Sequence, residues 1–257
     1  MRFDGMFAIA GREFRSLFAS PLAWALLAVT QFLLAWRFLQ LVDEFQLYLE
    51  PLLVQVNSPL GVTDLVVARF LGDPTLLMLL LLVLGVLAMR LITEERRSGT
   101  LQLLFSSPIT ATEIVLGKYL GALGFVAVLL SLWVLMPLSL MLGTSLDLAR
   151  LAAAAVGLGL MAAALLAAAT YISCLTVQPG VAAVGTFGIG LLFMLFHYGA
   201  GATADNSAVF EYLSSLSHYD NLLTGSVQSS SLAYFALLII GFLAFAVRRL
   251  DALRVQS

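Results

Sequence analysis

Six stretches of this 257-residue chain are each long and apolar enough to cross a lipid bilayer, and this limits the fold more than any other feature. A spanning helix needs ~20 mostly apolar residues. The stretches run from Pro21 to about Leu41, Pro74 to about Ile92, Tyr119 to Leu142, Leu148 to Leu175, Pro179 to about Gly199 and Ser231 to Val247. They are rich in Leu and Ala and lack period-two alternation, so they read as helices. An open sheet edge would leave its backbone groups without partners in hydrocarbon. Charged residues make up 11% of the chain and hydrophobic ones 61%, whereas a soluble domain averages ~25% charged. The expected fold is an all-α membrane protein of six transmembrane helices, one domain over residues 1–257.

The basic residues give an orientation. With both termini in the cytoplasm, ten of the thirteen lie inside, and only Arg37, Arg69 and Arg150 lie outside. The reverse placement would oppose the positive-inside tendency. Before the first span, residues 1–20 read as an amphipathic helix along the inner leaflet, with Arg12, Glu13 and Arg15 on its polar side. The same three charges make the stretch a poor secretory signal. Residues 42–73 and 200–230 are the longer extracytoplasmic segments, large enough to cap the bundle or line an outer gate. Glu211, Tyr212, His218 and Tyr219 are the candidates there for docking a periplasmic partner.

Several chemistries are missing. The only Gly-Lys pair, Gly117-Lys118, is followed by Tyr119 and has Thr112 where a phosphate loop needs its first glycine. His197 and His218 stand apart without a nearby carboxylate cluster, and the single cysteine, Cys174, sits in an apolar helix. No constellation supports an intramembrane enzyme. The middles of the spans carry almost no charge, which argues against a proton- or sodium-driven carrier. Small residues are abundant instead, including Gly117, Gly121 and Gly124, and serve either close helix packing or a surface that slides during a conformational cycle. The chain is expected to be non-catalytic, to need an external energy source and to have no nucleic-acid partner.

Between the second and third spans lies the charged run Glu94-Glu95-Arg96-Arg97-Ser98-Gly99-Thr100-Leu101-Gln102-Leu103-Leu104, closed by Pro108. Gly99 frees the backbone for a sharp turn, Thr100 can cap a new helix, and Leu101 with Leu104 makes one apolar edge. This pattern, with Arg12 to Pro21, Pro108 to Leu120 and His218 to Val227 in order around it, resembles the ABC-2-type transporter permeases. The likeness is strongest to their gliding-motility and nitrous-oxide-reductase-maturation branch and spans nearly the whole chain. Gln102 departs from it, standing where that family usually has glutamate.

The resemblance implies a coupling loop at residues 93–112 whose short helix docks on an ATPase. Glu94, Glu95, Arg96 and Arg97 would form a charged collar, and Thr100, Leu101, Leu103 and Leu104 the helix pressed into the ATPase groove. It further implies two copies of an ABC ATPase subunit, a second permease chain, identical or homologous, and a bacterial inner membrane. ATP and Mg would be bound by the ATPase, leaving no cofactor in this chain. Two uses of the cycle remain open: export of a substrate, or mechanical work on a periplasmic or membrane accessory subunit.

Overall fold

Proline opens two of the six long helices, at Pro21 and Pro179, and restarts a third after a break, at Pro74; its missing N–H is an orphan in a first turn anyway and its fixed φ suits it. The structure, a computed structural model, describes residues 3–51, 61–101, 109–200 and 212–256. Among these there is no strand. Six helices are long and apolar enough to span a membrane: Pro21–Leu49, Thr63–Ser98, Ala111–Leu142, Leu148–Leu175, Pro179–His197 and Ser229–Arg254, here spans one to six. The chain is a multi-pass membrane protein, and six crossings put both termini at one end of the bundle, here the termini end.

Spans one, two, three and six run beyond the apolar stretches that mark them in the sequence. Hydropathy stops at the first charges, but the helix does not, because backbone hydrogen bonds continue once the chain leaves hydrocarbon. Span three starts at Thr110, whose side chain accepts from the Glu113 N–H while the Glu113 carboxylate accepts from the Thr110 N–H at 2.8 Å. This reciprocal cap satisfies two of the orphan donors of the first turn. Span two is interrupted at Gly72 and restarts at Pro74, with Asp73 accepting from the Thr75 N–H at 2.8 Å.

Spans two and four form the centre, with 61% of each apolar window buried against 17–33% for the other four. Trp133, Phe125, Phe70 and Phe235 fill the core with no exposure. The outward side chains of span one, among them Trp24, Phe32, Trp36 and Leu39, are exposed apolar groups suited to lipid. At the far end a short helix, Ser215–Leu223, lies across span four at Gly157, where a Cβ would come within 2.8 Å of the Leu222 Cβ.

The N-terminal helix Phe3–Ala19 lies along the first half of span three. Glycine makes that approach close. A Cβ on Gly117 would stand 2.9 Å from the Met6 carbonyl, and one on Gly121 would stand 2.8 Å from the Ala10 carbonyl. Backbone cannot yield to that, so any larger residue would push the two helices apart.

Candidate functional site

The termini end of span two is built around a widened turn. Over Met89–Thr93 the helix takes π geometry, which frees backbone N–H groups from their usual acceptors. Ser173 of span four receives them. Its hydroxyl accepts from the Ile92 N–H at 2.9 Å and the Thr93 N–H at 3.0 Å, while the Thr93 hydroxyl donates to the Ser173 carbonyl at 3.0 Å. Thr93 and Ser173 are fully buried, so this stitch fixes the direction in which the last turn of span two emerges.

That last turn, Glu94–Ser98, is a bracket held from two sides. Arg96 donates to the Cys174 carbonyl at 2.7 Å, one of the carbonyls that the end of span four leaves without a helical partner. Its neighbour Glu95 reaches the opposite way to Lys118 of span three, at 2.9 Å. Lys118 in turn donates to Glu13 of the N-terminal helix at 3.0 Å. The lysine side chain is only 3% exposed, with Glu13 at 16% and Glu95 at 23%. One buried ammonium thus joins three elements and faces two carboxylates. The second oxygen of Glu95 is buried with no partner among the described residues.

Beside the triad lies a hollow of about 550 Å³ lined by Arg12, Glu13, Ser16, Arg90, Glu94, Glu95 and Lys118, among others. Arg90 pairs with Glu94 across one helical turn at 3.6 Å. The bracket ends at Gly99, whose φ of 74° lies in the left-handed region, a conformation glycine adopts without a Cβ penalty. The Thr100 hydroxyl then turns back to the Glu95 carbonyl at 3.4 Å.

Of the four residues of the expected charged collar, Glu94 and Arg97 are exposed, whereas Glu95 and Arg96 turn inward. Thr100 is exposed, while Leu101 is buried within the chain at 6%. Leu103, Leu104 and Pro108 lie outside the described residues. On the N-terminal helix, Arg12 and Arg15 are exposed, but Glu13 points at Lys118 and leaves the polar side expected of it. The reason is electrostatic: the flank of the glycine seam carries a cation that must be neutralised once it is buried. In the sequence Lys118 stands as an inner basic residue of the Gly117-Lys118-Tyr119 motif, with no partner indicated. Its place beside Gly117 and Gly121, at the flank of a close-packing stripe, was the available signal. For Ser173 and Thr93, hydroxyls within apolar runs, no comparable signal exists.

At the far end, Tyr219 is fully buried and donates to the Leu71 carbonyl at 2.9 Å. Burial pushes its phenol well above the ordinary range. The ring of His218 stacks on Tyr234 with centroids 4.3 Å apart. Its Nε2 meets the Tyr212 carbonyl at 3.1 Å and its Nδ1 meets the Ser231 hydroxyl, also at 3.1 Å. A carbonyl can only accept, so in the neutral ring Nε2 carries the hydrogen. Tyr212 is exposed, and Glu211 lies outside the described residues. Of the expected docking set, His218 and Tyr219 are therefore structural supports of the helix Ser215–Leu223 in this arrangement.

Residues 7–252 match the family model described as ABC-2 family transporter protein. No curated protein matches the chain.

Proposed function

The chain belongs to the ABC-2 transporter family, and from that premise we propose that it is the permease subunit through which a separate ATPase drives movement across a bacterial inner membrane. Both termini then face the cytoplasm, and the bracket with the loop beyond it faces the ATPase. The working unit is two permease chains, identical or homologous, with two ATPase subunits that hold ATP and Mg. Within the family, the ordered motifs favour the gliding-motility and nitrous-oxide-reductase-maturation branch.

One observation carries the reading. The Glu94–Ser98 bracket is tied on one side to span four and on the other to span three and the N-terminal helix. A push on the loop that follows it is therefore delivered to three elements at once. Glu94, Arg97 and Thr100 stay exposed beside that loop, available to a soluble partner.

The test is affinity purification of the tagged chain from membranes with identification of the bound subunits. Leu104→Asp combined with Arg97→Glu is expected to abolish co-purification of an ATP-binding-cassette protein that the unaltered chain retains. Leu101 is left unaltered, because it is buried and its substitution would disturb the fold. Normal retention of the ATPase by the double variant would sink the assignment of this loop.

A second use of the same cycle is mechanical work on a periplasmic or membrane accessory subunit without translocation. It is favoured by the far end, where the helix Ser215–Leu223 caps the bundle and Tyr212 projects from the segment before it. ATPase activity that responds to an outer protein but to no substrate would select this use. Transport of a labelled substrate by the reconstituted complex would select export.

A further inference from the structure

Lys118 has two anionic partners, and the two are attached to parts of very different mobility. Glu13 belongs to the N-terminal helix, whose backbone is pressed against span three at Gly117 and Gly121 with no room for a Cβ. That close backbone contact packs the two helices into one unit, and the Glu13–Lys118 pair lies within it. Glu95 belongs to the bracket at the end of span two, and among the described residues its pair with Lys118 is the polar tie from the bracket to that unit.

Charge decides which tie can open. A buried pair made of one cation and one anion resists breaking, because each member is left unneutralised. Here two carboxylates share one ammonium, so Lys118 stays neutralised by Glu13 when Glu95 departs. The departing carboxylate has somewhere to go, since the 550 Å³ hollow that Glu95 helps to line also carries Arg12, Ser16 and Arg90. The arrangement also leaves one Glu95 oxygen buried and unpartnered, a cost that departure relieves.

We propose that Lys118 is a releasable latch of the coupling movement: Glu13 holds it throughout the cycle, and Glu95 holds it only in the arrangement seen here. Lys118 is a positioning residue in this scheme. The latch rests on the reading that an ATPase docks beside the bracket. When the ATPase shifts the bracket, Glu95 exchanges Lys118 for water in the hollow, and span three with the N-terminal helix is free to follow a different path from span two.

The experiment uses the full chain in complex with its ATPase subunit, spin-labelled in pairs. Ser16→Cys with Ser98→Cys reports bracket against N-terminal helix. Ser16→Cys with Ala127→Cys reports N-terminal helix against span three. All three sites are exposed, and the one native cysteine, Cys174, is fully buried and stays unlabelled. Between the nucleotide-free and the vanadate-trapped state, the 16–98 distance is expected to lengthen by more than the ~1–2 Å of an ordinary helix shift, while the 16–127 distance holds. Glu95→Gln, which is isosteric and uncharged, is expected to move the nucleotide-free 16–98 distance toward the trapped value. An unchanged 16–98 distance in a complex that binds and hydrolyses ATP would overturn the latch alone, as would a Glu95→Gln variant with the unaltered resting distance. Absence of any bound ATPase would overturn the functional reading and the latch with it.

Discussion

The two ends of this bundle hold their charges differently. At the far end, three cations each have a single carboxylate: Arg37 with the buried Asp73 at 2.8 Å, Arg69 with Glu44 at 3.2 Å in a half-exposed pair, and Arg150 with Asp64. At the termini end, one buried lysine is shared by two carboxylates from two elements. Pairs matched in this way are electrically complete, and the exposed one, Arg69 with Glu44, contributes little, typically ~0–1 kcal/mol. They suit a cap that keeps its shape. A buried cation shared between competing anions is costly to assemble, and its partners can be exchanged. The end proposed to meet the ATPase therefore carries the arrangement able to exist in two forms.

The largest effect expected from this contrast comes from removing the shared cation. Lys118→Met leaves Glu13 and Glu95 without the cation they share. Breaking a buried ion pair in this one-sided way costs ~3–5 kcal/mol. Thermal unfolding of the purified chain in detergent should show a large drop in Tm, partly restored by adding Glu13→Gln, which removes one of the stranded charges. A drop no larger than that of a far-end pair would erase the contrast between the ends.

Next comes the stitch behind the bracket. Ser173→Ala strands the Ile92 and Thr93 N–H groups in a buried site, while the Thr93 hydroxyl keeps the carbonyl of residue 173. Leaving buried donors unsatisfied costs ~1–3 kcal/mol, read in the same unfolding experiment. Ser173→Thr, which keeps the hydroxyl, should cost less if the added methyl is accommodated. Equal losses for both would mean that packing at position 173, and not its hydrogen bonds, holds the turn.

How much of this was legible in the chain follows the same division. The six spans, the N-terminal helix, the turn at Gly99 and the break before Pro74 could be read, because apolar run length, Gly and Pro are local signals. Thr110-Ala111-Thr112-Glu113 also carried the signature of a reciprocal helix cap. What could not be read was which way the charges face. Glu95 and Arg96 are neighbours in a charged run, yet one points to span three and the other to the end of span four. That depends on the π turn at Met89–Thr93, a tertiary adjustment to Ser173 some eighty residues away in the chain. Local sequence holds no record of it. His218 and Tyr219 looked like surface recognition residues for the same reason: their burial is set by spans two, four and six packing over them.

A smaller effect tests the far end directly. Arg69→Ala removes its most exposed ion pair, with both side chains about half in water. The expected loss is at most ~1 kcal/mol and should shrink further in high salt. A loss as large as that of Lys118→Met would show that the far-end charges act as a network, and the division between a static cap and an adjustable base would fail.

The smallest effect is one of pH. Asp220, on the helix Ser215–Leu223, has its carboxyl raised above the ordinary carboxylate value by burial, an effect partly opposed by His197 at 4.0 Å. At pH below that ordinary value the group is protonated whether the chain is folded or not, and it costs nothing. As pH climbs through the gap to the raised folded value, the unfolded chain releases its proton first, so stability falls across that window and then levels off. Half of the side chain is exposed, so the change should stay within the ~0.5 kcal/mol usual for surface positions. Asp220→Asn should flatten that part of the curve and leave stability at neutral pH equal or slightly higher. A clear loss of stability at neutral pH instead would mean that the ionised carboxylate is a working partner of His197, and that the far end, too, holds a charge it cannot spare.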